Sequence, residues 1–330
     1  MTSLHRLHDL VIASNVPIAG VPGAEAGDID LHVTLDVARE THALQKRLID
    51  GPLFTVFRKR DGYRFDFPDG TQFVIDRDGT SIRASGPPEL AAIYLVNTVM
   101  AFVLRLRGHE VLHASCANID GVAVAFAGPG GSGKSTLAAC LAQRGFSIVS
   151  EDVTALVDHG DRFEVLPSHR RLRLWSDAAA LIYGDAHALP WLAGTDWKHF
   201  TELPDTPDKR LELAAIYSID DRRDAAPHVE WLSPRDGLID LIANTYHSVR
   251  DASLLPTNFE RLGRITASVP LRLAVPNVRL DSVFDLADAI VDDVRNLRHE
   301  LASGIRPAPR VARVHERDAG SAAAAPDAVR

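Results

Sequence analysis

Cysteine is nearly absent: Cys116 and Cys140 are the only two in 330 residues. A disulfide scaffold is excluded, and a reducing cytoplasmic setting is the expectation. The N-terminal residues Met1-Thr2-Ser3-Leu4-His5-Arg6 lack the basic start and apolar core of a signal peptide. The longest charge-free apolar run, residues 90–104, falls short of the roughly 20 residues that span a bilayer, so it reads as a buried core helix and no membrane role is expected. Positive charge is not in excess. The formal net charge is −8, which gives no general attraction to nucleic acid or anionic lipid. Hydrophobic content of 46% and charged content of 24% are those of an ordinary soluble globular chain. No internal repeat is present, and no motif that would read a nucleobase is evident.

Lysine is scarce too, with five in the chain, and one of them lies in the most informative stretch. Gly128-Pro129-Gly130-Gly131-Ser132-Gly133-Lys134-Ser135-Thr136 fits the phosphate-loop pattern, Gly, four residues, Gly-Lys-Ser/Thr. A short apolar run, residues 122–127, precedes it and reads as a buried strand. Residues 137–144 follow as a helix that Gly145 can stop. Strand, glycine loop and helix together make a polyphosphate cradle: glycines admit the phosphate close to backbone N–H groups, and the helix N-terminus adds its dipole. Lys134 is placed for the β- and γ-phosphates and Ser135 for Mg²⁺.

The rest of the chain predicts an α/β protein. Residues 8–15 and 29–35 read as strands. Short alternating runs at 53–57, 63–67, 73–75 and 81–83 are separated by Asp-Gly and Pro-Asp-Gly turns. Residues 1–86 are therefore expected to form a small antiparallel β domain. Gly86-Pro87-Pro88 marks a boundary. A catalytic domain is expected over 87–305, opening with a long buried helix over 88–107 and a hairpin, residues 110–127, into the loop. Strands are expected at 146–150, 155–157, 163–166, 171–175, 215–219, 228–232 and 271–275, with helices at 236–246 and 283–297. Residues 185–210 read as an irregular loop. Residues 306–330, rich in Ala, Pro, Arg and Asp, read as a disordered tail.

Beside a phosphate loop, a strand ending in acidic residues is a candidate metal and proton-transfer site. Glu151 and Asp152 end the 146–150 run. The plainer alternative is a solvated strand end. His113, on the strand that leads into the loop, is equally compatible with a core histidine. Arg173 alternates with Leu172 and Leu174 on a strand, and Lys198 lies in a loop with Trp191 and Trp197. Both are candidates for gripping phosphate or substrate, whereas Arg170 and Arg171 read as surface charge. Phe126, Phe146 and Trp175 read as core.

Leu112-His113-Ala114-Ser115, residues 121–126, the loop itself, Arg144-Gly145-Phe146, Ser150-Glu151-Asp152-Val153 and residues 172–178 together resemble the catalytic domain of bacterial HPr kinase/phosphorylases. The chain is more similar still to the shorter HPr-kinase-like proteins, some of them tailoring kinases of lasso-peptide clusters. The resemblance implies a P-loop catalytic domain of the PEP-carboxykinase-like type that uses ATP, or pyrophosphate in some members, with Mg²⁺. It implies a seryl acceptor on a peptide or small protein. It implies that His113, Glu151 and Asp152 line the catalytic centre, with Glu151 as base and Asp152, with Ser135, on the metal. Homo-oligomeric assembly is also common in that group. The chain departs from it in carrying Glu151 where Asp is usual, and in lacking a Glu-Ile-Arg-Gly-type signature. The expected function is thus an ATP- and Mg²⁺-dependent serine kinase with a lasso-precursor C-terminal serine as acceptor. An HPr kinase, a small-molecule kinase and a nucleotide-binding protein without transfer activity are the alternatives.

Overall fold

The computed structural model describes residues 2–25, 27–35, 37–40, 46–195, 197–203, 209–246 and 255–303. The expected disordered tail lies outside these residues. In chain order the first strands are β1 (Ser3–Leu7), β2 (Leu10–Ser14), β3 (Leu31–Thr34), β4 (Lys46–Asp50), β5 (Thr55–Arg58), β6 (Gly62–Asp66), β7 (Gln72–Asp76) and β8 (Ser81–Ser85). They form one sheet in the order β1-β2-β3-β8-β7-β6-β5-β4. The Asp-Gly hairpins are where alternation predicts them. The sheet is nevertheless mixed rather than purely antiparallel, because β3 runs parallel to both β2 and β8. Residues 8–15 do not make a single strand: His8 and Asp9 both take positive φ and form a tight turn between β1 and β2.

The apolar run after Pro87 forms α1 (Pro88–Tyr94), a π-helical turn over Leu95–Val99, and α2 (Met100–Leu106). By length and composition this helix could cross a membrane, yet most of it is buried within the protein. It packs on the first sheet. Phe102 lies edge-on to Tyr63, with ring centroids 4.8 Å apart, and 5.1 Å from Phe65. The same core continues into Val111, Val153, Ala155 and Leu166 of the second half. The helix is thus the shared wall between the two sheets.

The second half contains β9 (Glu110–Ile119), β10 (Val122–Ala127), α3 (Lys134–Gln143), β11 (Ile148–Ser150), β12 (Val153–Asp158), β13 (Phe163–Val165), β14 (Arg171–Trp175), α4 (Ser176–Tyr183), β15 (Lys198–Glu202), β16 (Leu211–Ile219), β17 (His228–Trp231), α5 (Pro234–Ala243), α6 (Leu255–Ser268), β18 (Leu271–Val275) and α7 (Val283–Ala302). Its sheet runs β10-β9-β12-β13-β16-β18-β17, and β10 also pairs in parallel with β16. Strand β9 pairs with β12 through Glu110–His113 and with β10 through Ala114–Ile119. That division of one long strand brings the end of β11 and the glycine loop after β10 to the same end of the sheet. A separate ribbon, β14 with β15, closes that end. The 185–210 stretch is accordingly not all loop, since residues 198–202 form β15. Helix α6 was not expected from the sequence.

Helix α7 is fixed to the sheet by polar contacts in a largely apolar setting. Arg272 on β18 stacks on Trp231, 3.8 Å from the ring centroid, and grips Asp293. The Tyr217 hydroxyl donates to the same carboxylate at 2.7 Å.

Phe102→Ala removes a ring that is 2% exposed and joins helix to sheet, so an unfolding free-energy loss of about 3–5 kcal/mol is expected by urea denaturation.

Candidate active site

The loop between β10 and α3 is shaped by glycine at two places. Gly133, with φ of 105°, holds the left-handed conformation that turns the chain into α3. A side chain at Gly128 would come within 2.7 Å of Ser132 Oγ. Lys134, the first residue of α3, is buried. Its Nζ donates to the carbonyl oxygens of Gly128 (2.7 Å) and Pro129 (3.0 Å). Burial lowers its pKa, an effect opposed by the nearby Asp152 and Glu151 carboxylates. Gly130 and Gly131 form the outer curve of the loop, and Thr136 turns onto the opposite side of α3 from the acids, toward α7.

The Ser135 hydroxyl donates to Glu151 Oε1 at 2.9 Å. Glu151 is 1% exposed. Its other oxygen accepts from Arg173, at 3.3 Å from Nε and 3.1 Å from Nη2. The same guanidinium binds Asp152 Oδ2, and Asp152 Oδ1 lies 3.3 Å from His113 Nε2. The result is a chain of contacts, Ser135–Glu151–Arg173–Asp152–His113. Metal binding by Ser135 with Asp152 was the sequence expectation. The structure places that hydroxyl against Glu151 Oε1, and Asp152 Oδ2 on the same Arg173 nitrogen that holds Glu151 Oε2.

Each member is held by a definable feature. The β9–β12 register pairs His113 with Val153, next to Asp152. The His113 N–H donates to Asn244 O at 2.7 Å, and its ring meets Tyr246 edge-on at 5.5 Å. Asp152 has φ of 64°, rare for a residue with a side chain, and Val153 N–H closes a tight turn onto Glu151 O at 2.7 Å. Such a conformation costs about 1–3 kcal/mol and turns successive carboxylates toward one guanidinium. On β14, alternation sends Leu172 and Leu174 into the core and Arg173 to the opposite face.

Environment sets the two acids apart. Burial pushes the Glu151 carboxyl above its ordinary range, and Arg173 only partly offsets this. Burial acts on Asp152 in the same sense, but Arg173, His113 and Lys134 overcome it and hold that carboxyl well below the usual range. Arg173 is itself raised by the two acids, against the effect of burial. At neutral pH Asp152 is anionic, while Glu151 has the greater affinity for a proton.

Lys198 sits at the border of the site. Its pKa is lowered by burial and by Arg173, and its ammonium lies 5.0 Å from the Trp175 ring centroid. Trp175 is not core: it is 48% exposed, on the same face of the ribbon as Arg173. Arg171 turns away from the acids, onto Glu202 at 2.8 Å and over the Phe200 ring.

Three contributors were not anticipated. Asn97, in the π-helical turn, accepts from Arg173 Nη2 at 3.1 Å and donates to Ile93 O at 2.7 Å. A lone amide in a 15-residue apolar run was the signal available. His169 is buried beside Arg173 and pushed down to about 3, by burial first and then by that positive charge. Tyr246 carried no sequence signal.

Oxygen donors of this kind suit Mg²⁺, which commonly takes one or two carboxylates, a hydroxyl and phosphate oxygens rather than an all-protein cage. Among the described residues no cluster of three or more His, Cys, Asp or Glu suited to a metal occurs.

No family model matches the chain, and no curated protein matches it. Among solved structures it is similar to the HPr(Ser) kinase/phosphatase from Coxiella burnetii, at 16% identity and a TM-score of 0.30. The match covers 58% of this chain and 98% of that one. A likeness this slight carries no inference about function, which rests on the side chains.

Arg173→Met leaves the buried Glu151 and the half-buried Asp152 without their shared cation, so a stability loss of about 3–5 kcal/mol is expected at neutral pH. Asp152's depressed pKa contributes stability that is present above the ordinary carboxylate range and lost as pH falls. The gap between wild type and variant should therefore narrow on acidification, as followed by denaturant titration at several pH values.

Proposed function

We propose that the chain is an ATP- and Mg²⁺-dependent phosphotransferase that phosphorylates a serine hydroxyl on a peptide or small protein. The observation that carries this reading is the contact of Ser135 Oγ with Glu151 Oε1 at 2.9 Å. It sets a phosphate-loop hydroxyl directly against a carboxylate with raised proton affinity.

In the proposed reaction the donor's phosphates lie along residues 128–136, where backbone N–H groups and the start of α3 receive them. Lys134 leaves its loop carbonyls for the β- and γ-phosphate oxygens. Mg²⁺, held by Ser135 and Asp152 with the donor's oxygens, would supply charge neutralisation on the phosphates. The seryl oxygen forms a bond to the γ-phosphorus as the bond from that phosphorus to the β–γ bridging oxygen breaks. The seryl proton passes to Glu151, and the bridging electron pair leaves on the nucleoside diphosphate, where Lys134 offsets the charge. Arg173 keeps Asp152 ionised and stands within reach of the transferring group. His113 orients Asp152. Trp175 and Lys198 border the acceptor side. The more specific acceptor proposed is the C-terminal serine of a lasso-peptide precursor.

The test is incubation with γ-labelled ATP and Mg²⁺ in the presence of a serine-terminated precursor peptide, HPr or free serine. Label is expected on the peptide and absent with Lys134→Ala. Label on free serine alone would replace the peptide reading with a small-molecule kinase. No label on any acceptor, with nucleotide still bound, would support a binding protein.

The pH dependence has a definite sign. Glu151 accepts a proton only when ionised, and its pKa is raised from the ordinary 4.5. Turnover at saturating donor should therefore rise with pH across an inflection above that value, measured from about pH 5 to about pH 8. A rate that falls over this range would contradict the assignment.

A further inference from the structure

The N-terminal sheet reaches the segment that carries Arg173. Leu7 pairs with Leu10, so His8 and Asp9 make the turn between β1 and β2, with φ of 50° and 64°. A turn with both φ positive favours Asn-Gly. His and Asp there carry a backbone cost that Asn-Gly avoids, and each is bound across the molecule. His8 is 1% exposed. Its N–H donates to Pro167 O at 2.9 Å, and its ring Nε2 lies 3.4 Å from Ser168 Oγ. Asp9 accepts from Arg210 Nε at 2.6 Å. Ser168 N–H in turn donates to Val149 O at 2.9 Å, on the strand that runs into Glu151. Arg170 N–H donates to Gly20 O at 2.8 Å, in the loop after β2. That loop is laid along β1: His5 Nε2 accepts from Ile18 N–H at 3.3 Å, and Arg6 N–H donates to Pro22 O at 2.9 Å. A side chain at Gly20 would come within 2.5 Å of Arg171 Cδ, so the Arg171 stem lies flat on the same loop.

Residues 167–171 are thus held by β11 on one side and by the N-terminal turn and loop on the other, and Arg173 follows two residues later. His169, 4% exposed, accepts from Arg171 N–H at 3.3 Å through Nδ1. Burial pushes His8 and His169 down to about 3, so at neutral pH neither brings positive charge to the approach to Arg173. The need for such a brace follows from topology. One guanidinium has to meet both Glu151 and Asp152. Its strand belongs to the two-stranded β14–β15 ribbon, which shares no ladder with the main sheet. Two strands alone hold a position weakly, and the apolar packing of Leu172 and Leu174 is non-directional. We propose that the N-terminal sheet is a working part of the active site: the His8-Asp9 turn seats the segment that presents Arg173 to the acids, and His8 is a positioning residue. Its consequence for rate rests on the proposed phosphotransferase reading, whereas the hold on Arg173 does not.

Nuclear magnetic resonance on the isotope-labelled full chain tests this, read at the Arg173 Nε–H and identified by its loss in Arg173→Lys. That proton is expected to exchange slowly with water in the wild type. It should exchange at least about tenfold faster in His8→Gly, which removes the ring and relaxes the turn. Ser168→Ala takes away the other half of the contact, should act in the same direction, and decides the matter if His8→Gly does not fold. His8→Asn tolerates positive φ and keeps a polar group toward Ser168, so it should lie nearer the wild type. His32→Ala, exposed on the same sheet, should change nothing. Single-turnover transfer from ATP to the serine-terminated peptide should slow by about tenfold or more in His8→Gly, with ATP affinity within about threefold of wild type. Wild-type exchange at Arg173 in both His8→Gly and Ser168→Ala would overturn the positioning role, whether or not the chain transfers phosphate. A freed Arg173 with transfer at the wild-type rate would overturn the claim that the sheet serves the site. No transfer by the wild type, with Arg173 still freed in His8→Gly, would overturn the phosphotransferase reading and leave the hold on Arg173 standing.

Discussion

The guanidinium of Arg173 binds two adjacent carboxylates, one buried and one half-buried. Glu151 and Asp152 are consecutive, and both face inward from the turn after β11. Two such groups cannot both ionise in a poorly solvated site unless a cation lies between them. Much of the local architecture serves that requirement. The β14–β15 ribbon delivers Arg173 from outside the main sheet. The π-helical turn of the long apolar helix supplies Asn97 as a further acceptor for the same guanidinium. A π-turn within an α-helix is often found where a side chain has to be aimed. Strand β9 brings His113 to the other end of the acid pair through its register with β12.

The clamp does not treat the two acids alike, and the asymmetry has chemical content. Asp152 faces Arg173, His113 and Lys134 and stays anionic. Glu151 is the more deeply buried and leans toward holding a proton, yet it accepts a hydrogen bond from the loop hydroxyl of Ser135. One carboxylate suited to a cation and one suited to a proton are what phosphoryl transfer to a hydroxyl requires. The longer Glu side chain at position 151 spans the distance to Ser135 in this arrangement.

Motif and periodicity reached the elements that position the site. The strand–loop–helix over residues 122–144, the hairpin that carries His113, and Arg173 on its strand were all legible, because each depends on local spacing. What was not legible depended on distant parts of the chain meeting. The turn at His8-Asp9 looked like strand because the flanking residues are apolar, and β3 pairs in parallel with strands that local alternation cannot identify. Trp175 looked like core by composition but lies half exposed, since alternation along β14 puts it on the face with Arg173 rather than with Leu172 and Leu174. Asn97 acts only because a π-turn redirects it.

The central claim is that the clamped acids do chemistry on a donor held by the loop, rather than merely stabilising the fold. Glu151→Gln is nearly isosteric and can keep the Arg173 and Ser135 contacts, so single-turnover transfer should be compared with nucleotide affinity in the same variant. The account predicts nucleotide binding within about threefold of wild type, with transfer slowed by about a hundredfold or more. Transfer at the wild-type rate in Glu151→Gln would contradict it, whatever the affinity.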